Sequence, residues 1–421
     1  MEIRPGWKGR QKRLTDKKRL EDLAIFGGSA AFHEPLHVGR PNVGDRERLL
    51  GRINEIIDSK RLTNNGPYVQ GFERTISEMI GVKHCIAVCN ATVGLEIAAQ
   101  AAGLSGEVIV PSFTFVATAH ALRWQGITPI FCDVDEQTHN IDPEQVERLI
   151  TPRTTGIMGV HLWGRPCDAT ALAEIAHAHD LRILFDAAHA FGCSYEGTML
   201  GNYGDAEVFS FHATKFVNAF EGGAIVTNDD KLADKMRLMK NFGFAGYDKV
   251  LDIGTNGKMS EVSAAMGLTS LESRDTFVAA NYRNYRRYGE NLARVPGVRL
   301  APYSEEESCN YQYIVLEIDE GLTRVSRDRL QEILWAENVL ARRYFYPGCH
   351  RMEPYRSSSL YRELWLPNTE RLSGRVLSLP TGMDIGVKEI DRICEAIEVA
   401  VACGGEVRKR LDHYAAQESA G

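Results

Sequence analysis

Lys215 lies in the run from Ala206 to Gly223, AEVFSFHATKFVNAFEGG. An apolar strand pattern (Val208, Phe209, Phe211) ends in small and hydroxylated residues. Lys215 follows, then aromatics and the pair Gly222–Gly223, and a second apolar run from Ala224 to Thr227. A lysine at the end of a buried strand loses hydration, which disfavours its ammonium form and frees the amine. A free amine is the nucleophile that Schiff-base chemistry with a carbonyl requires. The alternative is a solvated loop lysine, since lysine is rarely buried, so the surrounding residues must decide.

Three features bear on that choice. In CNATVG, residues 89–94, Asn90 or Thr92 can cap a helix whose first amides form an anion site suited to a phosphate. Asp186 ends the apolar run LRILFD, where a carboxylate must be paired or coordinated to offset its desolvation. It either caps the segment that follows or partners a cationic ring nitrogen or a metal. Ser210, five residues before Lys215, offers a hydroxyl to a phosphate. A lysine for the Schiff base, an acid for the pyridine nitrogen and a phosphate site at a helix N-terminus are the set that pyridoxal phosphate needs.

The elements that must position these groups alternate regularly. HCIAVCN reads as a strand, TVGLEIAAQAAG as a helix, EVIVP as a strand, TFVATAHALRWQG as a helix and TPIFCDV as a strand. The rhythm resumes with TGIMGVHLWG, a helix from about 168 to 179, and LRILFDA. This predicts the α/β class, a mostly parallel central sheet flanked by helices, with ligands outside the carboxyl ends of its strands. Upstream, DRERLLGRINEIIDSKRL predicts a helix capped by Asp45, and a second helix is expected over 69–80. Beyond Gly267 a long helical stretch, about 260–295 with an interruption near 275–280, leads into the strand NYQYIVLEI and helices at 327–337 and 387–402. The expected division is a basic N-terminal tail over 1–22, a large cofactor-binding domain over 23–275 and a smaller C-terminal α+β domain over 276–421.

Composition excludes several classes. The 421 residues carry a formal net charge of -7 with 44% hydrophobic and 25% charged residues, an ordinary globular balance without general affinity for nucleic acid. Eight Lys and Arg residues between Arg4 and Arg19 read as a loosely docked terminus rather than a nucleic-acid arm. Nine scattered cysteines without CxxC spacing argue against a disulfide framework or a metal site and for a reduced, cytoplasmic protein. No stretch approaches the roughly 18 apolar residues of a membrane span.

The chain resembles the DegT/DnrJ/EryC1/StrS sugar aminotransferases, which are fold type I pyridoxal-phosphate enzymes. The resemblance runs from about residue 23 to 384 and rests on LTNNGPYVQGFE, NATVGLEIA, PSFTFVATAHAL, FCDVD, HLWGRPCD, DAAHAFG, SFHATKFVNAFEGG and TNGKMSEVSAAMG in the family's order. It implies that Lys215 forms the Schiff base and shuttles the proton, that Asp186 pairs with the pyridinium nitrogen and that Phe115 stacks on the ring. It further implies that the amides of Ala91 and Thr92, with Ser210, hold the phosphate, and that Asn256 reaches the phosphate of the partner subunit's cofactor, hence a homodimer with composite sites. His189 stands where many members have glutamine and is expected at the ring hydroxyl or substrate. Lys258 stands where many have arginine, a point charge in place of a fork. Tyr346 and His350, in YFYPGCH, resemble the family's segment near the sugar; the alternative for them is a turn around Pro347.

The implied reaction transfers an amino group from an amino acid, glutamate, to C4 of a nucleotide-linked 4-keto-6-deoxyhexose such as dTDP-4-keto-6-deoxy-D-glucose, in deoxyaminosugar and antibiotic pathways. The SFHATK and FEGG forms, LAIFGG and HVGRPNVGD resemble the C4 branch. Competing readings are a C3-aminotransferase, a dehydratase (a branch that replaces the lysine by histidine) and a non-catalytic sensor. A nicotinamide oxidoreductase is discounted because no strand is followed by GxGxxG.

Overall fold

A seven-stranded sheet forms the centre of the larger part of the chain. The computed structural model describes residues 17–418, so most of the expected basic tail lies outside the described residues. Across the sheet the strands are His84–Val88, Gly223–Thr227, Ala206–Ser210, Arg182–Asp186, Thr154–Val160, Glu107–Pro111 and Thr128–Cys132. All neighbours are parallel except at Gly223–Thr227, which runs antiparallel to the strands on both sides. Both faces are covered: one side packs Leu95, Ala98 and Met236 against Val88, Val208 and Ile225, and the other packs Phe72, Ile76 and Phe191 against Ala87, Phe209 and Val226. That is why the strands read as continuous apolar runs rather than as alternations.

Helix Arg46–Ser59 is capped by Asp45, whose side chain accepts from the Arg48 amide. The segment TFVATAHALRWQG, 114–126, yields a shorter helix than expected, Ala117–Arg123. The leading residues instead form the loop that presents Phe115. The break in the long helical stretch falls at Ser273, between Glu261–Glu272 and Arg274–Leu292, not at 275–280.

A second core surrounds the antiparallel sheet Val298–Leu300, Ile314–Ile318 and Val376–Leu379. Helix Arg274–Leu292 joins the two cores: Phe277 packs with Phe72 and Phe211, while Tyr288 and Leu292 pack with Leu316 and Ile393. The grouping of residues 23–275 differs at its start, because Leu23, Phe32 and Leu36 lie in this second core. Lys17 is not loosely docked either. Its ammonium lies 2.8 Å from the buried Glu337 carboxylate and donates to the carbonyls of Asp22 and Ser29. No helix among the described residues is long and apolar enough to cross a membrane.

Candidate active site

The parallel strands deliver their carboxyl ends to one cavity of about 480 Å³. Ala91, Thr92, Phe115, Asp186, His189, Ser210 and Lys215 all line it. They come from four strand ends, at 91–92, 115, 186–189 and 210–215, brought together because the strands that carry them lie in one sheet.

At one end, helix Ala91–Ala101 begins directly after its strand. Asn90 is extended, and its side-chain oxygen accepts from the Val93 amide at 2.9 Å. No group among the described residues accepts from the amides of Ala91 and Thr92, which are left to an anion at the positive end of the helix. Gly223 permits this turn: a Cβ there would lie 2.7 Å from the Ala91 nitrogen and from the Asn90 carbonyl carbon. Ser210 pairs with Gly223 in register and faces the same space.

At the other end, Asp186 is buried and its carboxylate has two donors. Thr118 Oγ1 donates to Oδ2 at 2.7 Å and the Ala188 amide to Oδ1 at 3.1 Å. Burial nevertheless raises its pKa above the usual carboxylate range. A desolvated acid facing a cavity is suited to a cationic ring nitrogen, which would restore its ionised form. The Lys215 amine is enclosed although the residue is only half-buried. Burial lowers its pKa to about 8, against the opposing pull of Asp186. Its Nζ donates to Tyr313 Oη at 3.0 Å.

His189 is buried, and burial together with the Lys215 charge holds its pKa well below the usual histidine value. The Trp163 amide donates to its Nδ1 at 3.2 Å, which places the imidazole proton on Nε2. Trp163 itself sits at φ 63°, a conformation rare for a bulky residue, and its ring stacks on His189 and Phe345. Phe115, 54% exposed, stands at the cavity edge against Phe345. These groups fit pyridoxal phosphate: free amides for the phosphate, an acid for the ring nitrogen, a donor for the ring hydroxyl and an amine for the aldehyde.

Four expected residues lie outside this cavity. His350 is fully buried: its Nδ1 lies 2.7 Å from Ser112 Oγ and its Nε2 3.2 Å from Glu370. Its ring ties the strand end at Ser112 to helix Pro367–Arg375. Tyr346 points away as well, under the guanidinium groups of Arg327 and Arg343. Its neighbours Tyr344 and Phe345 take the place at the cavity. Asn256 is exposed, and Lys258 Nζ donates to Asn241 in a separate pocket. Conversely, Tyr313, Thr118, His212 and Glu221 were not singled out in the sequence. Tyr313 is hidden in a run that reads only as strand, while His212 and Glu221 flank Lys215 in the motif itself.

A larger cleft of about 870 Å³ lies beside Asp135, Arg299 and Glu317. Arg299 pairs with Glu317 and Arg375 with Glu136, and Asp135 Oδ1 accepts from the amides of Gln137 and Thr138, so size alone does not mark the reactive site.

Residues 44–398 match the family model described as the DegT/DnrJ/EryC1/StrS aminotransferase family. The chain is 38% identical over 366 residues to a dTDP-4-amino-4,6-dideoxy-D-glucose transaminase of Shigella dysenteriae, covering 87% of this chain and 99% of that one. An Escherichia coli protein of the same name is 35% identical, over 86% and 97% of the two chains. Among solved structures, DesI in the presence of its TDP-sugar product superposes with a TM-score of 0.90 at 52% identity, covering 93% of this chain and 100% of that one.

Proposed function

Because the chain belongs to the DegT/DnrJ/EryC1/StrS aminotransferase family, we propose that it transfers an amino group from glutamate to C4 of dTDP-4-keto-6-deoxy-D-glucose. The observation that carries the reading is the meeting of Lys215, Asp186 and the free amides of Ala91 and Thr92 in one cavity. The choice of C4 and of a dTDP sugar is supported by the names of the two transaminases and by DesI.

Pyridoxal 5′-phosphate supplies an electron-withdrawing ring that takes up the charge developing on the donor's α-carbon. The protein's residues do the rest. The amides of Ala91 and Thr92 and the Ser210 hydroxyl hold the phosphate, and Phe115 offers a ring face at the cavity edge. Asp186, ionised by its cationic partner, would keep the ring nitrogen protonated, with Thr118 holding the carboxylate in place. His189 Nε2 donates toward the ring hydroxyl. Lys215 Nζ would be the amine for the aldehyde and, when free, the base that would carry the proton from the donor's α-carbon; its lowered pKa makes the neutral amine available for both tasks. Aromatic walls from Tyr344 and Phe345 limit water near the reacting carbon.

In this reading residues 23–275 supply most cofactor contacts, and the part from 276 onward supplies Tyr313, Tyr344 and Phe345. The enzyme is a homodimer in the cytoplasm. Asn256 and Lys258 lie outside their own chain's cavity, which is consistent with service to a partner. The neighbouring hairpin exposes Phe242, Phe244, Val250 and Leu251, an apolar surface suited to burial against a second copy. All nine cysteines are free, in keeping with a reducing compartment.

An absorbance titration and product analysis test the proposal. Purified protein with pyridoxal phosphate should show a visible band that bleaches with glutamate, and the bleached form should aminate a 4-keto nucleotide sugar at C4. Exclusive amination of a 3-keto sugar, or loss of a hydroxyl without amination, would refute it.

A further inference from the structure

Among the described residues the Lys215 amine makes one hydrogen bond, and its partner is not the nearby acid. Its Nζ donates to the phenol oxygen of Tyr313 at 3.0 Å, across 98 positions of sequence. Tyr313 immediately precedes strand Ile314–Ile318 of the small antiparallel sheet, so this bond joins the C-terminal core to the reactive end of the large sheet.

The phenol is built in from several sides. Its ring packs edge-on against Trp163 at 5.3 Å and tilts over His189 at 4.5 Å. Its backbone carbonyl accepts from Tyr303 Oη at 3.0 Å, and the same hydroxyl donates to the Trp163 carbonyl at 2.9 Å. One hydroxyl, its single proton shared between the two carbonyls, thus ties the Tyr313 backbone to that of Trp163, whose ring packs on the Tyr313 ring. Burial raises the Tyr313 pKa well above the usual tyrosine range, so the phenol stays neutral. A neutral phenol serves Lys215 in both protonation states: it accepts from the ammonium and donates to the free amine.

We propose that Tyr313 is a positioning residue for Lys215, the anchor that holds its amine in the cavity whenever the amine is free. The inference rests on the transaminase reading, in which Lys215 must leave and return in every half-reaction. A four-carbon side chain released into a cavity of this size has many conformations, and a fixed partner at Nζ reduces them. Acceptance from the ammonium is charge-assisted and therefore stronger than donation to the amine, so Tyr313 also favours the protonated lysine.

The test uses Tyr313→Phe, which removes one oxygen from an intact ring. In the full-length apoprotein, the pH dependence of Lys215 labelling by fluorodinitrobenzene is followed by peptide mapping, with the surface lysines as internal controls. The labelling midpoint should fall by about one pH unit, the difference expected between a charge-assisted and a neutral hydrogen bond. In the reconstituted protein kcat should drop about tenfold with KM for the nucleotide sugar within twofold, the pattern of an interaction needed after binding. An unchanged or raised midpoint overturns the proposal. If Tyr313→Phe fails to fold, 3-fluorotyrosine at position 313, a weaker acceptor of nearly the same shape, should lower the midpoint in the same direction, and no movement overturns it. Failure of the unaltered protein to take up pyridoxal phosphate would refute the transaminase reading instead, which keeps the two failures distinguishable.

Discussion

The hydroxyl of Thr118 donates to Asp186 Oδ2 at 2.7 Å, and both residues are buried. Asp186 has its Ala188 amide bond besides, and burial still raises its pKa. The carboxylate is therefore held with little margin. Thr118→Val keeps the shape and deletes the donor; a hydrogen bond to a charged group contributes about 1.5–3 kcal/mol. We expect pyridoxal phosphate to bind at least tenfold more weakly, measured by equilibrium dialysis against absorbance, and unchanged affinity would show that Thr118 has no such role.

Gly223 touches the phosphate turn through backbone atoms that cannot rotate away, at 2.7 Å for a notional Cβ. Gly223→Ala should shift the Asn90–Ala91 turn and cost about 1–3 kcal/mol, the range for overpacking a tight site. Urea unfolding reads the stability cost, and cofactor uptake should fall with it. A variant that binds normally would mean the turn has slack absent from this structure.

Lys215 carries a pKa of about 8 instead of the ordinary lysine value of 10.5, with burial as the first cause. The folded state thus disfavours the ammonium. Its penalty is complete below pH 8 and is relieved as pH rises from there toward the unfolded value. The rate of pyridoxal phosphate capture by the apoprotein should accordingly rise through pH 8 and level off well before pH 10. A rise centred above pH 10 in a stopped-flow series would contradict an enclosed amine. Lys215→Ala should abolish both capture and transamination.

Glu337 is fully buried and accepts from the amides of Ala24 and Ala31, both at 2.7 Å, with the Lys17 ammonium 2.8 Å away. Removing one partner of such a pair leaves a buried charge uncompensated, at about 3–5 kcal/mol. Glu337→Leu should therefore destabilise the second core by that order, seen in chemical denaturation, and release the segment near residues 17–31 to proteolysis. The double variant with Lys17→Met should recover part of the loss.

His350 supplies a test of its own placement. His350→Phe should lower stability by about 1–3 kcal/mol, because Ser112 and Glu370 lose a buried partner. The KM for the nucleotide sugar should stay within twofold. A large rise in KM with unchanged stability would return His350 to the substrate.

The linear chain by itself determined a good deal. Strand and helix signals from His84 to Asp186 are local, since each apolar run and each cap, such as Asn90, is written in adjacent residues. The strand-end acid, the lysine after a buried strand and the capped turn share a logic of desolvation and charge that residue type alone conveys. Only the tertiary structure decided which side chains meet. Tyr313 bonds Lys215 from another sheet, and Thr118 reaches Asp186 from another crossover. Tyr344 and Phe345 face the cavity while Tyr346 and His350, one to five residues further on, turn to the guanidinium groups and the interior. Side-chain direction along an irregular segment follows from packing against distant elements, and that information is absent from local sequence.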